Sequence, residues 1–484
     1  MRPPYPRIMD AREVDVIVIG AGAVGENVAD RTVQGGLSTV LVEEELVGGE
    51  CSYWACMPSK ALLRAGAAVR AARAVAGAAE AVTGEIDARA VFRRRDRITH
   101  DRDDASQVEW VDGAGIELLR GHARIVGPRR VVVRGPDGTV TELHARHAVA
   151  VCTGSVPVLP DIPGLAELEP WTSREATSAS EAPATLAVLG GGVVGSELAA
   201  AYASLGSRVT VLARGSLLGA VEPFAAELVR EGLEAAGVRV LTGVSVVAAH
   251  RAEKNAVLTL DDGSRVLAER VLVATGRVGR TRDLGLEEIG LVADDAIEVD
   301  DTMRVPGYDW LYAVGDVNGR VKLTHQGKYQ ARAAGDAIAA RATGRPVDDA
   351  PWGAHVATAD HRAIPQVTFT EPEVASVGLT AAAAQEAGLR VRVLDYDLSW
   401  VAGASVYADD YRGRARAIVD LDRRVLVGAT FVGPDVGELL QAATIAVVGE
   451  VPIDRLWHAV PAYPTVSEVW LRWLEAFGRP GAQA

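Results

Sequence analysis

Residues 14–45 read VDVIVIGAGAVGENVADRTVQGGLSTVLVEEE. An apolar run of buried-strand type ends in Gly20, Gly22 and Gly25, a helical stretch follows, and a second apolar strand ends in acid at Glu43. This order of strand, glycine turn, helix and strand is one βαβ unit. In G-x-G-x-x-G directly after a strand, the missing side chains let backbone N–H groups approach a pyrophosphate at a helix N-terminus, and Glu43 can accept from ribose hydroxyls. A tight structural turn can give the same letters. The agreement of strand, helix and Glu43 argues for a dinucleotide site.

A second unit follows at 185–214, TLAVLGGGVVGSELAAAYASLGSRVTVLAR, with Gly190, Gly192 and Gly195 in the same places. Two such units imply two dinucleotide sites. Ala213 stands where an NAD-type carboxylate would be expected, and Arg214 follows it. A cation there favours a 2'-phosphate, so NADPH is the expected nicotinamide, with NADH the alternative if Arg214 is only a solvated charge. The stretch AVAVCTGSVPVLPDIPGL breaks into Pro and Gly between the units, and RVLVATGRVGRT closes the second. After Ala350 come TFTEPEVASVGLT, a long Ala-rich helical stretch, and the alternating runs RARAIVDL and VLVGATFVG, which predict an antiparallel sheet with helices. The expected fold class is α/β, with two Rossmann-like domains and a C-terminal α+β domain. The expected ranges are 10–157 and 280–349 for the first dinucleotide domain, 158–279 for the second, and 350–484 for the last.

Bulk properties bound the function. A chain of 484 residues is too long for one core and favours about three domains. Its hydrophobic fraction of 49% is that of a globular protein, and a formal charge of −14 argues against nucleic-acid or anionic-membrane partners. The N-terminal MRPPYPRIMD lacks the apolar core of a secretory signal, and arginines interrupt the Ala-rich run after Lys60, so a cytoplasmic location is expected. With only three cysteines, a disulfide-stapled secreted scaffold is excluded, and a close pair is catalytic or metal-binding.

That pair is Cys51 and Cys56 in GGECSYWACMPSKALL, ahead of a helix expected to start near Pro58. In a regular helix their Cα atoms would stand about 8 Å apart, beyond disulfide reach, so the segment has to bend. A helix N-terminus would favour thiolate at the nearer Cys56. A structural disulfide, two inert thiols or half a metal site are the competing readings, but no nearby Cys or His completes a ligand set, and no metal is expected. Cys152, alone in AVCTGS, reads as a buried small residue. The lysines are only Lys60, Lys254, Lys322 and Lys328. Lys60 falls inside the cysteine motif and could pair with Glu197, on the helix after the second glycine turn, unless it is a surface charge.

GAGAVG, C-x4-C-x-P-S-K, GGGVVG, ATGR and LYAVGD together resemble the pyridine nucleotide-disulfide oxidoreductase family, from about Val14 to Glu468. The resemblance implies FAD as second cofactor, with Asp316 as its carboxylate ligand, Thr302 opening that motif, and Gly49, Thr153, Gly154, Gly276, Gly315 and His325 among the cofactor-binding positions. It implies a homodimer through the C-terminal domain, with substrate bound across the subunit interface. Cys56 would face the flavin, Cys51 would attack substrate, and Lys60 with Glu197 would polarise the ring. The family's base is a His in H-P-T-x-x-E. Here the stretch is AYPTVSE, so Tyr463 takes the His place while Glu468 remains. Tyrosine titrates near pH 10 and is a poor base at neutral pH. Mercuric reductases carry tyrosine there too, yet the three cysteines leave no C-terminal pair of the kind that group has.

Three readings follow. Electrons pass from NADPH through FAD to Cys51–Cys56 and on to a disulfide or other electrophilic acceptor; or the flavin reduces quinones directly; or the chain is a flavin-binding redox sensor or complex subunit with little turnover. His458 reads as a core or interface residue rather than a substitute base. His355 and His361 read as surface residues, and Tyr53 and Trp54 either line an acceptor cleft or pack.

Overall fold

The computed structural model describes residues 10–292 and 296–479, so the N-terminal stretch read above for targeting lies outside the described residues apart from Asp10. The chain divides into two compact units, 1–58 with 96–158 and 277–360, and 59–95 with 159–276 and 361–484.

In the first unit, the Val-rich segment Asp10–Ile19 lies at the centre of a seven-stranded sheet. It pairs in parallel with Thr39–Glu43, Ile19 opposite Val42, and with Val140–Val151, Ile19 opposite Val151. Glu117–Arg120 extends the sheet in parallel beyond Thr39–Glu43, while Arg130–Arg134 and His122–Gly127 form an antiparallel meander on the other side. Leu311–Ala313 pairs in parallel with Val149–Val151. Ile17, Leu41 and Val149 have no exposed surface, as expected for parallel strands covered on both faces. The Ala23–Gln34 helix packs on the Thr324–Ala342 helix through small residues: a Cβ on Gly327 would stand 2.6 Å from Val24 Cγ2, and one on Gly335 2.5 Å from Arg31 Cβ.

In the second unit, Arg239–Thr242, Arg208–Ala213, Thr185–Leu189 and Arg270–Val273 make a four-stranded parallel sheet. A three-stranded antiparallel meander, Val246–Ala252, Asn255–Leu260 and Arg265–Ala268, belongs to the same unit and was not anticipated from the sequence. The C-terminal part forms the expected antiparallel sheet, in the order Gln366–Thr368, Glu373–Gly378, Val425–Gly433, Arg414–Asp420, Val391–Asp397. Its Ala-rich stretch is helical only over Ala381–Glu386, shorter than expected, because Gly388 turns the chain at φ +71° into the next strand. The α/β class, with parallel Rossmann-type sheets and a C-terminal α+β layer, is as the sequence implied.

Candidate active site

The first glycine turn is built by steric necessity. Gly20 has φ +99°, and its N–H donates to Val42 O at 2.8 Å; a Cβ on it would stand 2.6 Å from Cys152 O, and one on Gly25 1.8 Å from Gly20 O. Gly22 differs: it caps the Ala23–Gln34 helix without a side-chain hydrogen bond, and a Cβ there would meet nothing within 4 Å. The helix N-terminus therefore opens onto free space with unsatisfied N–H groups, the cradle a pyrophosphate fits. Glu43 is buried; its Oε2 accepts from Ala21 N–H at 2.7 Å and its Oε1 from Glu45 N–H at 2.8 Å, which leaves each oxygen a further lone pair. Burial pushes its carboxyl up despite those donors.

Other residues predicted for this cofactor, all but Gly276, lie in the same unit. Gly49, at φ +59°, would carry a Cβ 2.8 Å from Gly22 Cα, which brings the cysteine segment against the glycine turn. Thr153 Oγ1 donates to Arg280 O at 2.6 Å, and Gly154 O accepts from Arg280 N–H at 2.9 Å. Asp316 follows Gly315 after the Leu311–Ala313 strand and accepts from Ser155 Oγ at 2.6 Å, while Arg277 Nε donates to Ser155 Oγ at 2.8 Å. Gly276 precedes that arginine. Thr302 is buried in a turn, donating to Asp300 Oδ1 at 2.7 Å and accepting from Arg341 Nη2 at 3.1 Å. His325 is exposed in the first turn of the Thr324–Ala342 helix.

The cysteine segment bends as the disulfide geometry required. Cys51 lies in the short helix Gly49–Tyr53, Trp54 breaks it with φ −136°, and the next helix starts at Cys56 itself, two residues before the Pro58 start expected. Cys56 thus occupies a helix N-terminus. Both residues are thiols here. Thr324 Oγ1 stands 3.3 Å from Cys56 Sγ. The neighbouring Cys56 sulfur and then burial push the Cys51 thiol up, while Thr324 and Lys328 oppose the shift. Tyr53 and Trp54 are buried, rings 5.7 Å apart edge to face, so they pack rather than line an open cleft. Burial raises the Tyr53 phenol to about 12. Cys152 is buried, its thiol pushed up by desolvation, as a packing residue's would be.

In the second unit, Lys60 Nζ reaches Glu197 Oε2 at 2.7 Å and lies 4.9 Å from the centre of the Phe369 ring. Glu197 is buried, and its Oε1 accepts from Phe369 N–H at 2.9 Å, so both carboxylate oxygens are engaged. Lys60 sits one turn beyond Cys56 on the Cys56–Arg73 helix and shares its face. The second glycine turn repeats the first: Gly190 has φ +119°, a Cβ on Gly195 would stand 2.1 Å from Gly190 O, and Gly192 is open to space. Ala213 is buried at the end of its strand and Arg214 is exposed just past it.

Tyr463 and Glu468 have opposite surroundings. Tyr463 is 77% exposed, whereas Glu468 is buried, its Oε1 accepting from Gly403 N–H at 3.2 Å and its Oε2 standing 3.9 Å from Arg472. Within one chain Glu468 holds the start of the Ala402–Tyr407 helix. His458 is exposed in the turn after Ile453–Leu456, so it is no core residue. His355 is half-buried, its Nδ1 accepting from Asp348 N–H at 2.8 Å, and His361 is exposed. The residues that sequence reading passed over are Glu26, Thr324 and Lys328, of which only Lys328 carried a signal, as one of so few lysines.

Residues 14–331 match the model of the pyridine nucleotide-disulphide oxidoreductases, and residues 364–473 match that family's dimerisation domain. The chain belongs to this family. A mercuric reductase of Acidithiobacillus ferrooxidans is 32% identical over 95% of this chain and 82% of its own length, and a dihydrolipoyl dehydrogenase of Thermus scotoductus is 33% identical over 96% and 97%. Among solved structures, LpdA of Mycobacterium tuberculosis superposes with a TM-score of 0.82 at 24% identity, covering 96% of this chain and all of that one. The HOCl-induced flavoprotein disulfide reductase RclA of Escherichia coli gives a TM-score of 0.81 at 23% identity, covering 95% of this chain and 99% of that one. As a pyridine nucleotide-disulphide oxidoreductase the chain is an enzyme whose cofactors are FAD and NAD(P)H, and the two open glycine cradles fit two dinucleotides. No helix among the described residues is long and apolar enough to cross a membrane.

Proposed function

We propose that this oxidoreductase takes electrons from NADPH and delivers them through the Cys51–Cys56 pair to a disulfide or another soft electrophile. The observation that carries the reading is the pair of thiols on either side of the Trp54 bend, with Cys56 at a helix start and beside Thr324. FAD, held by Gly20, Gly22, Gly25, Glu43 and Asp316, supplies two-electron exchange between the nicotinamide and the sulfurs. Gly190, Gly192, Gly195 and Arg214 hold the nicotinamide dinucleotide, and Arg214 selects the 2'-phosphate. The pair is reduced by two electrons from disulfide to dithiol. The Cys51 thiolate then attacks one sulfur of the acceptor, forming a mixed disulfide and expelling the other sulfur as thiolate, which takes up a proton. Cys56 attacks Cys51 in turn, restoring the Cys51–Cys56 bond and releasing the second thiol. Thr324 and the helix N-terminus hold negative charge at Cys56 while it waits. Lys60, its charge fixed by Glu197, adds a cation on the Cys56 face of the helix. The active form is a homodimer through residues 364–473, with Tyr463 lining the acceptor side.

The test compares Cys51→Ser and Cys56→Ser with the wild type, using NADPH and a small disulfide such as lipoamide. Loss of about a hundredfold or more in turnover is expected for each; unchanged turnover of Cys51→Ser overturns the reading. The exposed Tyr463, standing where the family motif has its base, favours a second reading in which quinones are reduced without the thiols. In that case the double variant keeps its quinone reductase activity.

A further inference from the structure

We infer that Lys328 and Glu26 form a charge couple beside the thiol pair, in which Lys328 eases ionisation of Cys51 and Glu26 sets how much of that charge Cys51 feels. The inference rests on the reading of Cys51 as the exchange thiol.

The placement comes from two packed helices. Thr324 opens the Thr324–Ala342 helix with its hydroxyl 3.3 Å from Cys56 Sγ, and Lys328, four residues on, shares its face and is half-buried. Its charge favours the ionised form of Glu26 and, as a smaller influence, that of Cys51. Glu26 lies on the Ala23–Gln34 helix, held close by the contact of Gly327 with Val24. It is 8% exposed, and its Oε1 has no hydrogen-bond partner among the described residues.

A buried carboxylate with an orphaned oxygen is costly, so the group holds its proton longer than a surface acid does. Burial and the nearby Glu43 raise Glu26, Lys328 lowers it, and the balance is a carboxyl pushed up to about 7. The Tyr53 phenol, which also faces Glu26 and lies near Asp103, Asp104 and Arg120, stays neutral throughout this range. Below neutral pH Glu26 carries no charge and Lys328 acts on Cys51 in full. Above it the Glu26 carboxylate offsets the ammonium. Ionisation of Cys51 sends its proton to water, and no electron moves in that step.

The experiment is iodoacetamide alkylation of the reduced, FAD-loaded enzyme from pH 6 to 9, with Cys51 and Cys56 followed separately by peptide mass spectrometry. Lys328→Met should slow alkylation of Cys51 about tenfold, the size expected when one close opposite charge is lost. Lys328→Arg should keep the wild-type rate, and Glu26→Gln should raise the rate at pH 8 but not at pH 6. In the Lys328→Met background, where Glu26 loses the cation that lowers it, the effect of Glu26→Gln should move to higher pH. A Cys51 rate within twofold of wild type in Lys328→Met, an arginine variant as slow as the methionine variant, or an unchanged pH 8 rate in Glu26→Gln overturns the inference. Alkylation reports on the thiol whether or not Cys51 takes part in turnover, so its outcome is separate from that of the Cys51→Ser test.

Discussion

The two glycine turns share a backbone and differ in what stands around it. In both, the first glycine N–H reaches the second strand, Gly20 to Val42 O at 2.8 Å and Gly190 to Leu212 O at 2.9 Å, and the third glycine has no room for a Cβ. At the strand end the first turn has a buried carboxylate, Glu43, and the second a buried methyl, Ala213, followed by a cation. A Cβ on Gly191 would stand 2.9 Å from that of Ala213, whereas Ala21, its counterpart, donates its N–H to Glu43. Behind the third glycine each turn buries a polar side chain with an oxygen that has no hydrogen-bond partner among the described residues, Glu26 Oε1 in one and Ser196 Oγ in the other. Backbone geometry makes a site for any dinucleotide; the side chains at the strand end and helix start decide which one and with what charge.

The hardest way to break the likeness is at the third glycine. Gly25→Ala should yield protein without flavin, and Gly195→Ala protein that keeps flavin but loses nicotinamide affinity by a hundredfold or more, since forcing a methyl onto a backbone oxygen costs about 3 kcal/mol or above. Flavin absorbance and NADPH titration read the two effects.

The next effect separates Glu26 from Ser196 by pH. Glu26 has its folded pKa raised from 4.5 to about 7, so the native state holds the extra proton in that interval. The stability this gives is present at low pH and lost as pH rises to 7. At about 1.4 kcal/mol per pH unit the loss is about 3 kcal/mol. Glu26→Gln should therefore raise Tm at pH 8 and leave it unchanged near pH 4; equal Tm gains at both would contradict a buried, titrating carboxyl. A smaller change is expected at Arg214, where a charge-assisted bond to phosphate contributes about 1.5 to 3 kcal/mol. Arg214→Glu should cut the NADPH-to-NADH ratio of kcat/KM about ten- to a hundredfold, and an unaltered ratio would show that Arg214 is a solvated charge. Least is expected of Ser196→Ala. Removal of an orphaned hydroxyl should leave thermal stability within about 1 kcal/mol of wild type, or slightly above it.

How much of this was legible in the sequence follows from what each residue does. Gly20, Gly25, Gly190 and Gly195 could be read because a missing side chain is the only solution to their crowding, and Glu43 because it ends a strand at a fixed distance from them. The Cys51–Cys56 spacing likewise forced the bend found at Trp54. Glu26 could not be read, since an acid on a helix looks like a solvated charge until the helix that covers it is known, and that helix lies some 300 residues later. Thr324 was hidden for the same reason, standing 268 residues from the sulfur it touches. That Tyr463 stands at the surface and Glu468 in the interior could not be read from a motif that spaces them five residues apart.

The late strand Leu311–Ala313 has a consequence for how the protein is made. It completes a sheet whose central strands, Asp10–Ile19 and Val140–Val151, leave the ribosome far earlier. At a synthesis rate of about 5 to 20 residues per second, the carboxyl end of Val140–Val151 waits on the order of 10 to 30 s for its final neighbour. Through that interval an apolar edge with unpaired amides is open to wrong strands, including those of other nascent chains.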